Sequence, residues 1–187
     1  MRTLPELLAP AGTPAGALAA FDAGADAVYC GLKKFNARER TENFSPEELD
    51  AVIGWAGTHG KKVFVTLNTL IKESELPELG EMLAELDRMH PDAVIVQDLG
   101  VLHAIRSFFP GLTVHASTQM GFHNSAGLAL AAELGVRRVI LERQTTLDEL
   151  ERMMRNKPSG IETEIFIHGA LCCCISGSCL LSSWLGG

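Results

Sequence analysis

Residues 114–119 read VHASTQ, and the two alternating sets of this short run differ in kind. Val114, Ala116 and Thr118 form one set; His115, Ser117 and Gln119 form the other. Successive side chains of a strand point to opposite sides, so a strand here carries one apolar and one polar face. The contrast recurs in VFVTLN (63–68), where Phe64, Thr66 and Asn68 share a parity, and in EIFIH (164–168), where Glu164, Phe166 and His168 do. Strands of an open parallel sheet are normally buried and apolar on both faces. A polar set ending in Asn, Gln or His instead suits a strand with one face toward the mouth of a barrel, where such folds keep their sites at the strands' carboxyl ends.

Outward from these runs, a short apolar segment, a turn and a helical pattern alternate along the whole chain, as parallel strands with crossover helices require. The patterning predicts strands at Glu6–Pro10, Ala27–Gly31, Lys62–Asn68, Ala93–Asp98, Thr113–Gln119, Arg138–Arg143 and Glu162–His168. Helices are expected at Thr13–Ala23, Pro46–His59, Glu75–Met89, Gly100–Phe108, Ser125–Leu134 and Leu147–Asn156. Ser45, followed by Pro46 and three residues later by Glu48, reads as an N-cap with a capping box. Thr13, Asn124 and Thr146 are similar caps, and Gly24, Gly60 and Gly135 are expected helix stops. About seven strands and six helices fit an α/β chain with a TIM-like (β/α)8 barrel, incomplete in these residues. A doubly wound open sheet is the alternative on pattern alone.

The 187 residues are 47% hydrophobic and 21% charged, an ordinary globular composition, and one compact unit is expected. A formal net charge of -7 argues against a protein that works mainly by neutralising a polyanion, leaving nucleic acid a partner only through a local basic patch. The opening MRTLPELLAPAG is too short and interrupted for a secretory signal, and no segment reaches the length of a membrane span. A cytoplasmic setting is the expectation. There, five cysteines crowded toward one end favour a metal or redox role over a disulfide framework.

Collecting the strand ends assembles Cys30, Asn68, Asp98, Ser117, Gln119, Glu142, Arg143, His168 and Cys172 as a candidate site. The segment LKKFNARERTENFS (32–45) adds Lys33, Lys34, Arg38 and Arg40, suited to a carboxylate or phosphate through charge-assisted hydrogen bonds; a solvated charged loop is the plainer reading. His59 and His90 fall at helix ends, and His115 reads as a core histidine. His168 closes a strand four residues before Cys172. In EIFIHGALCCCISGSCLLS (164–182), Cys172, Cys173, Cys174 and Cys179 offer soft thiolate donors for an iron–sulfur cluster or zinc. The spacing is not C-x2-C, and small cysteines packing beneath the last loop are the alternative.

That same stretch resembles the signature of the collagenase-like peptidases, peptidase family U32. Glu164, Phe166, Gly169, Ala170, Leu171, Cys172, Gly177, Cys179, Leu181 and Ser182 fill its fixed positions. The resemblance continues through PELLAPAG, GADAVYCGLKKFNAR, Asn43–Phe44, VTLNTL and ASTQMGFHNSAG, and so covers essentially the whole chain. It implies a TIM-like barrel and, in the better understood members, a [4Fe-4S] cluster on four cysteines. Cys172 and Cys179 match the first two; the other two lie downstream in the family. Residues 1–187 are accordingly expected to be the N-terminal portion of a barrel domain, with the rest of the barrel and any C-terminal domain outside them. Cys173 and Cys174 depart from the family's usual residues at their positions.

The resemblance carries two activities. Some members are named for collagen degradation; others resemble oxygen-independent hydroxylases of RNA bases or a ubiquinone precursor, with prephenate as hydroxyl source. Peptide hydrolysis needs an activated nucleophile or metal-bound water, and no GxSxG, HExxH or papain-like pattern occurs. Hydroxylation uses more of what is present. On that expectation, Cys172 and Cys179 ligate the cluster, Arg38, Arg143 and Ser117 bind substrate, and His168, Asn68 and Gln119 orient it or relay protons. RNA or a small molecule is the expected substrate, with a homo- or hetero-oligomer possible. A peptidase is the first alternative. A non-catalytic scaffold subunit is the second.

Overall fold

The computed structural model describes residues 4–169 and 174–179. It divides into two compact units, residues 1–113 and 114–187. The first alternates β1 (Leu8–Pro10), α1 (Pro14–Asp22), β2 (Ala27–Gly31), α2 (Pro46–Thr58), β3 (Lys62–Leu67), α3 (Leu76–Met89), β4 (Ala93–Val96) and α4 (Leu99–Phe108), with a single 3-10 turn at Glu73–Glu75 before α3. Strands β1 to β4 pair in chain order, all parallel, with Val28 opposite Val63 and Val65 opposite Val94. The second unit runs β5 (Val114–Ala116), a 3-10 turn (Thr118–Met120), α5 (Ser125–Glu133), β6 (Arg138–Ile140), α6 (Leu147–Asn156) and β7 (Glu162–Glu164). Its strands also pair in chain order and parallel. A doubly wound sheet reverses its strand order at a switch point; neither unit contains a reversal. The fold is α/β, with the seven parallel strands and six helices of an incomplete TIM-like barrel.

The helices begin where hydroxyl and amide side chains satisfy their first N–H groups. Thr13 accepts from Gly16 N, Asn124 from Gly127 N, and Ser45 and Thr146 form reciprocal capping boxes with Glu48 and Glu149. Gly24, Gly60 and Gly135 close helices with positive φ, as expected for residues without a Cβ. The end of α3 differs: His90 takes the left-handed conformation there, with its N–H on the Leu86 carbonyl.

Packing divides the helices by how much core they contribute. On α3, Leu79, Leu83, Leu86 and Met89 are buried on one stripe, each apolar side chain contributing roughly 1.5–3 kcal/mol. Helix α6 buries Met153 alone, so its capping box matters proportionally more. Phe21 of α1 stacks on Trp55 of α2 at 5.5 Å, and Trp55 on His59 at 3.9 Å. In β3, Val63 through Leu67 are all buried, the two-sided burial of a parallel strand.

Most strands end sooner than their patterning suggests. Strand β3 stops before Asn68, β4 before Asp98, β5 at Ala116, β6 at Ile140 and β7 at Glu164. At β5 the reason is local competition for the backbone, because a short polar side chain offers it an alternative hydrogen bond. Ser117 Oγ accepts from the Gln119 N–H at 3.2 Å, turning the chain into the 3-10 turn instead of continuing β5. Gln119 therefore does not share a strand face with His115. The expected polar parity also changes meaning, because Thr66, His115, Ser117 and Glu142 are buried, while Arg143, Gln144 and His168 are exposed. Strand β1 begins at Leu8, not Glu6.

The sequence ETE makes β7 an unusual strand, and its neighbour explains it. Buried Arg138 of β6 reaches Glu162 at 2.8 Å and Glu164 at 3.4 Å, and Arg137 also pairs with Glu162 at 2.8 Å. Leu141 N donates to the Glu164 carbonyl at 2.9 Å. Beyond it, Ile165, Phe166 and Ile167 are exposed, where the patterning expects the strand to run to His168.

Candidate active site

In the first unit, the segment after β2 is a braced loop. It returns beside its own strand, with Phe44 N donating to the Gly31 carbonyl at 3.0 Å and Leu32 bridged to Phe44. Asn36, buried, organises it: its amide donates to the Leu32 carbonyl and lies 3.3 Å from Asn43 Oδ1, while its own Oδ1 accepts from Arg38 N at 2.8 Å. The Asn43 amide reaches the carbonyls of Arg38, Glu39 and Thr41 at 2.8–3.2 Å. Phe35 adopts φ 61° and is buried, a conformation that a bulky residue keeps only when its surroundings hold it.

Asn68 joins this brace, since its Oδ1 accepts from Ala37 N at 3.0 Å. Asp98 caps α4, accepting from Gly100 N at 2.6 Å and Val101 N at 3.1 Å, and also from Ile71 N at 3.2 Å. Lys34 pairs with Glu78, whose hydrogen bond and charge raise its pKa. A cleft of about 560 Å³ opens between the start of α1 and the loop, with Thr13, Lys33, Thr41 and Asn43 on its walls beside Glu39 and Glu48. Cys30 is buried, and burial pushes its thiol up to about 12. Without a charged partner it stays protonated at neutral pH.

In the second unit, the carboxyl end of β6 meets the cysteine-bearing segment. Glu142 is 3% exposed. Its two carboxylate oxygens lie 3.1 and 3.4 Å from Ser176 N and accept its hydrogen bond. Ser176 Oγ lies 3.3 Å from Thr118 Oγ1 and accepts from an Arg143 guanidinium nitrogen at 3.3 Å. Thr118 Oγ1 also donates to the Leu141 carbonyl at 3.3 Å, and Gln144 Nε2 to the Cys174 carbonyl at 2.8 Å. The Arg143 guanidinium sits 5.9 Å from the centre of the Phe166 ring, within cation–π range. Between Ile175 and Ser178 the chain makes a β-turn, with Ser178 N on the Ile175 carbonyl at 3.1 Å and Gly177 at φ 79° in its third position, where glycine is favoured.

Of the expected site residues, Asn68 and Arg38 meet the braced loop of the first unit, Arg38 through its backbone. In the second, Arg143 joins the Glu142–Ser176 contact, Ser117 is buried as a turn cap, Gln119 is half-buried in the 3-10 turn, and His168 is exposed. Cys179 is described; Cys172 and Cys173 lie outside the described residues. Asn36, Thr118 and Ser176 escaped the strand-end reading because their partners come from loops, which have no periodicity. All of these, like Asn43, fall within the runs that carry the family resemblance, which marks the stretches but not the contacts that these side chains make.

The donor chemistry of the cysteine segment fits an iron–sulfur cluster in kind. It carries thiols, the soft donors that such clusters take; among the described residues no group of three or more His, Cys, Asp or Glu is placed to hold a metal ion. Among the same residues no helix is long and apolar enough to cross a membrane.

Parallel strands that pair in chain order, with polar groups collected just past their carboxyl ends, define a TIM-like α/β protein. A sequence model of peptidase family U32 matches residues 12–187, and the chain belongs to that family. It is similar to the "Uncharacterized protease MJ0090" of Methanocaldococcus jannaschii, 41% identical over 190 residues that take in 100% of this chain and 46% of that protein. It is also similar to "tRNA hydroxylation protein P" of Escherichia coli K12, 40% identical over 181 residues, 97% of this chain and 40% of that protein. The chain thus spans less than half the length of these relatives. Among solved structures, the U32 peptidase Mk0906 matches with a TM-score of 0.67 and 13% identity, covering 88% of this chain and 69% of that one, a likeness of fold.

Proposed function

We propose that this chain forms part of an oxygen-independent, iron–sulfur-dependent hydroxylase of RNA bases. The observation that carries the reading is the pinning of the thiol-bearing segment to the carboxyl end of β6 by Glu142 and Ser176, at the end of the strands where this fold class keeps its chemistry. The similarity to a protein named for tRNA hydroxylation, across 97% of this chain, supports RNA over a quinone precursor as substrate.

In this proposal Cys172 and Cys179 hold a [4Fe-4S] cluster together with two ligands from outside these residues. Bound, such a cluster would supply one-electron redox chemistry at this end of the strands. The chain's own residues bind and orient. Arg143 spends one donor on Ser176 and, with five N–H groups in all, keeps others for a substrate carboxylate or phosphate. Arg38, on the braced loop, is a second such group, and prephenate, a dicarboxylate, is the proposed hydroxyl source. Asn68 presents its amide beside that loop, and Gln119 and His168 are the candidates for orienting the base or moving a proton. The peptidase reading has less support: Ser117, a conceivable nucleophile, is buried and accepts a hydrogen bond from its own turn.

The test uses the full-length protein purified anaerobically, with iron and sulfide analysis, and mass spectrometry of RNA from cells lacking its gene. Iron and sulfide that vanish in Cys172→Ala and Cys179→Ala, and a base lacking one oxygen in the deleted strain, are expected. Well-folded protein with neither iron nor sulfide would overturn the reading. Peptide cleavage that survives removal of iron would favour the peptidase.

A further inference from the structure

We propose that Glu142 is a positioning residue that latches the cysteine-bearing segment onto β6, and that the Glu142–Ser176 contact sets how tightly the thiols of that segment are held. The inference rests on the proposed function only in its final step, where the held thiols are cluster ligands.

The geometry is specific. A carboxylate is costly to bury unless it is hydrogen-bonded, yet Glu142 is nearly inaccessible and both its oxygens face a single backbone N–H, that of Ser176. A charge-assisted bond of this kind is about twice as strong as a neutral one. The Ser176 hydroxyl is held at the same time by Thr118 and Arg143, so one residue is gripped through both its backbone and its side chain. Ser176 stands two residues after Cys174 and three before Cys179, at the turn that Gly177 closes. Gln144 holds the Cys174 carbonyl, which fixes the near side. Three consecutive residues of β6's carboxyl extension, Glu142, Arg143 and Gln144, therefore grip the segment. An apolar residue at 142 could pack there but could not fix the register of this loop.

The latch also links two parts of the site. Arg143 bonds to the same hydroxyl that sits beside Thr118, and its guanidinium lies near Phe166. A substrate anion on the remaining N–H groups of Arg143 would bind the same guanidinium that holds the hydroxyl, so substrate binding and loop position are coupled.

The test is residue-resolved alkylation of the full-length protein after cluster removal, read by mass spectrometry, comparing wild type with Glu142→Gln. The amide preserves size but removes the charge. Cys174 and Cys179 are expected to react about tenfold faster in the variant, with Cys30, buried in the first unit, unchanged as an internal control. Glu142→Asp keeps the charge on a shorter stem and should restore part of the protection. Equal rates in wild type and Glu142→Gln would overturn the latch. Reaction of Cys30 alongside the others would also overturn it, since Glu142 would then support the fold in general. Iron retention in air, measured on the same proteins before cluster removal, separates the two claims. Faster alkylation in a protein that never held iron keeps the latch and removes the cluster; iron held equally well with unchanged alkylation does the reverse.

Discussion

A Cβ added at Gly31 would lie 2.8 Å from Asn36 Cγ and 2.9 Å from Thr66 Oγ1, and Asn36 cannot retreat without giving up its bonds to Leu32 and Arg38. Thr66 is held as well, donating to the Cys30 carbonyl at 3.0 Å. Overpacking of this kind costs about 1–3 kcal/mol, and Gly31→Ala should lose stability in that range by urea unfolding. In combination with Asn36→Ala the loss should be less than the sum of the two, because the second change removes the side chain the first collides with; additive losses would show that the two residues do not meet. None of this could be read from the residues alone. Asn36 looks like one polar residue among many in a charged loop, and its burial becomes visible only once the loop is placed beside β2.

The helix starts at Thr13, Ser45, Asn124 and Thr146, by contrast, were legible, because a cap and its partner lie within three residues and the chemistry is local; Asp98, expected to end a strand, instead caps α4. The carboxyl ends of strands were not: at β5 the hydroxyl chemistry that marks a helix start instead ends the ladder early at Ser117, and sequence alternation does not register the difference. Strand β7 shows how a partner can override pattern. Burial raises the Glu162 carboxyl, but hydrogen bonding and charge from Arg138, with the charge of Arg137, outweigh it and hold the group below its ordinary range. A carboxylate depressed in the folded state contributes stability above its unfolded value, about 4.3, that is lost as pH falls through the folded one. Glu162→Gln should therefore be less stable than wild type at pH 7 by about 0.2–1 kcal/mol, the partial exposure of the pair limiting the effect. The gap should close as pH falls below about 4; thermal unfolding across that range checks it, and a gap independent of pH would refute it.

At the scale of the whole chain, a formal charge of -7 leaves any contact with RNA to local groups, and the loop after β2 concentrates Lys33, Arg38 and Arg40. On the proposed reading, Arg38→Gln with Arg40→Gln in the full-length protein should flatten the dependence of log affinity on log salt by roughly 0.7 for each phosphate that the variant no longer neutralises. Fluorescence anisotropy with tRNA measures this, and an unchanged slope would remove the loop from the RNA interface. The barrel-like order of strands was legible because hydrophobic segments and turns repeat along the entire length, whereas the grip of β6 on the cysteine segment was not, since it joins residues 30 to 34 positions apart. The bracing of the loop after β2 has one further consequence. Holding Phe35 left-handed and closing Asn36 and Asn43 on their neighbours settles the loop's conformational entropy during folding, so that on the proposed reading an arriving ligand would have little left to order. What such a loop would gain in affinity it would give up in adaptability: fixed in advance, it would discriminate by shape and turn away ligands that need it to move.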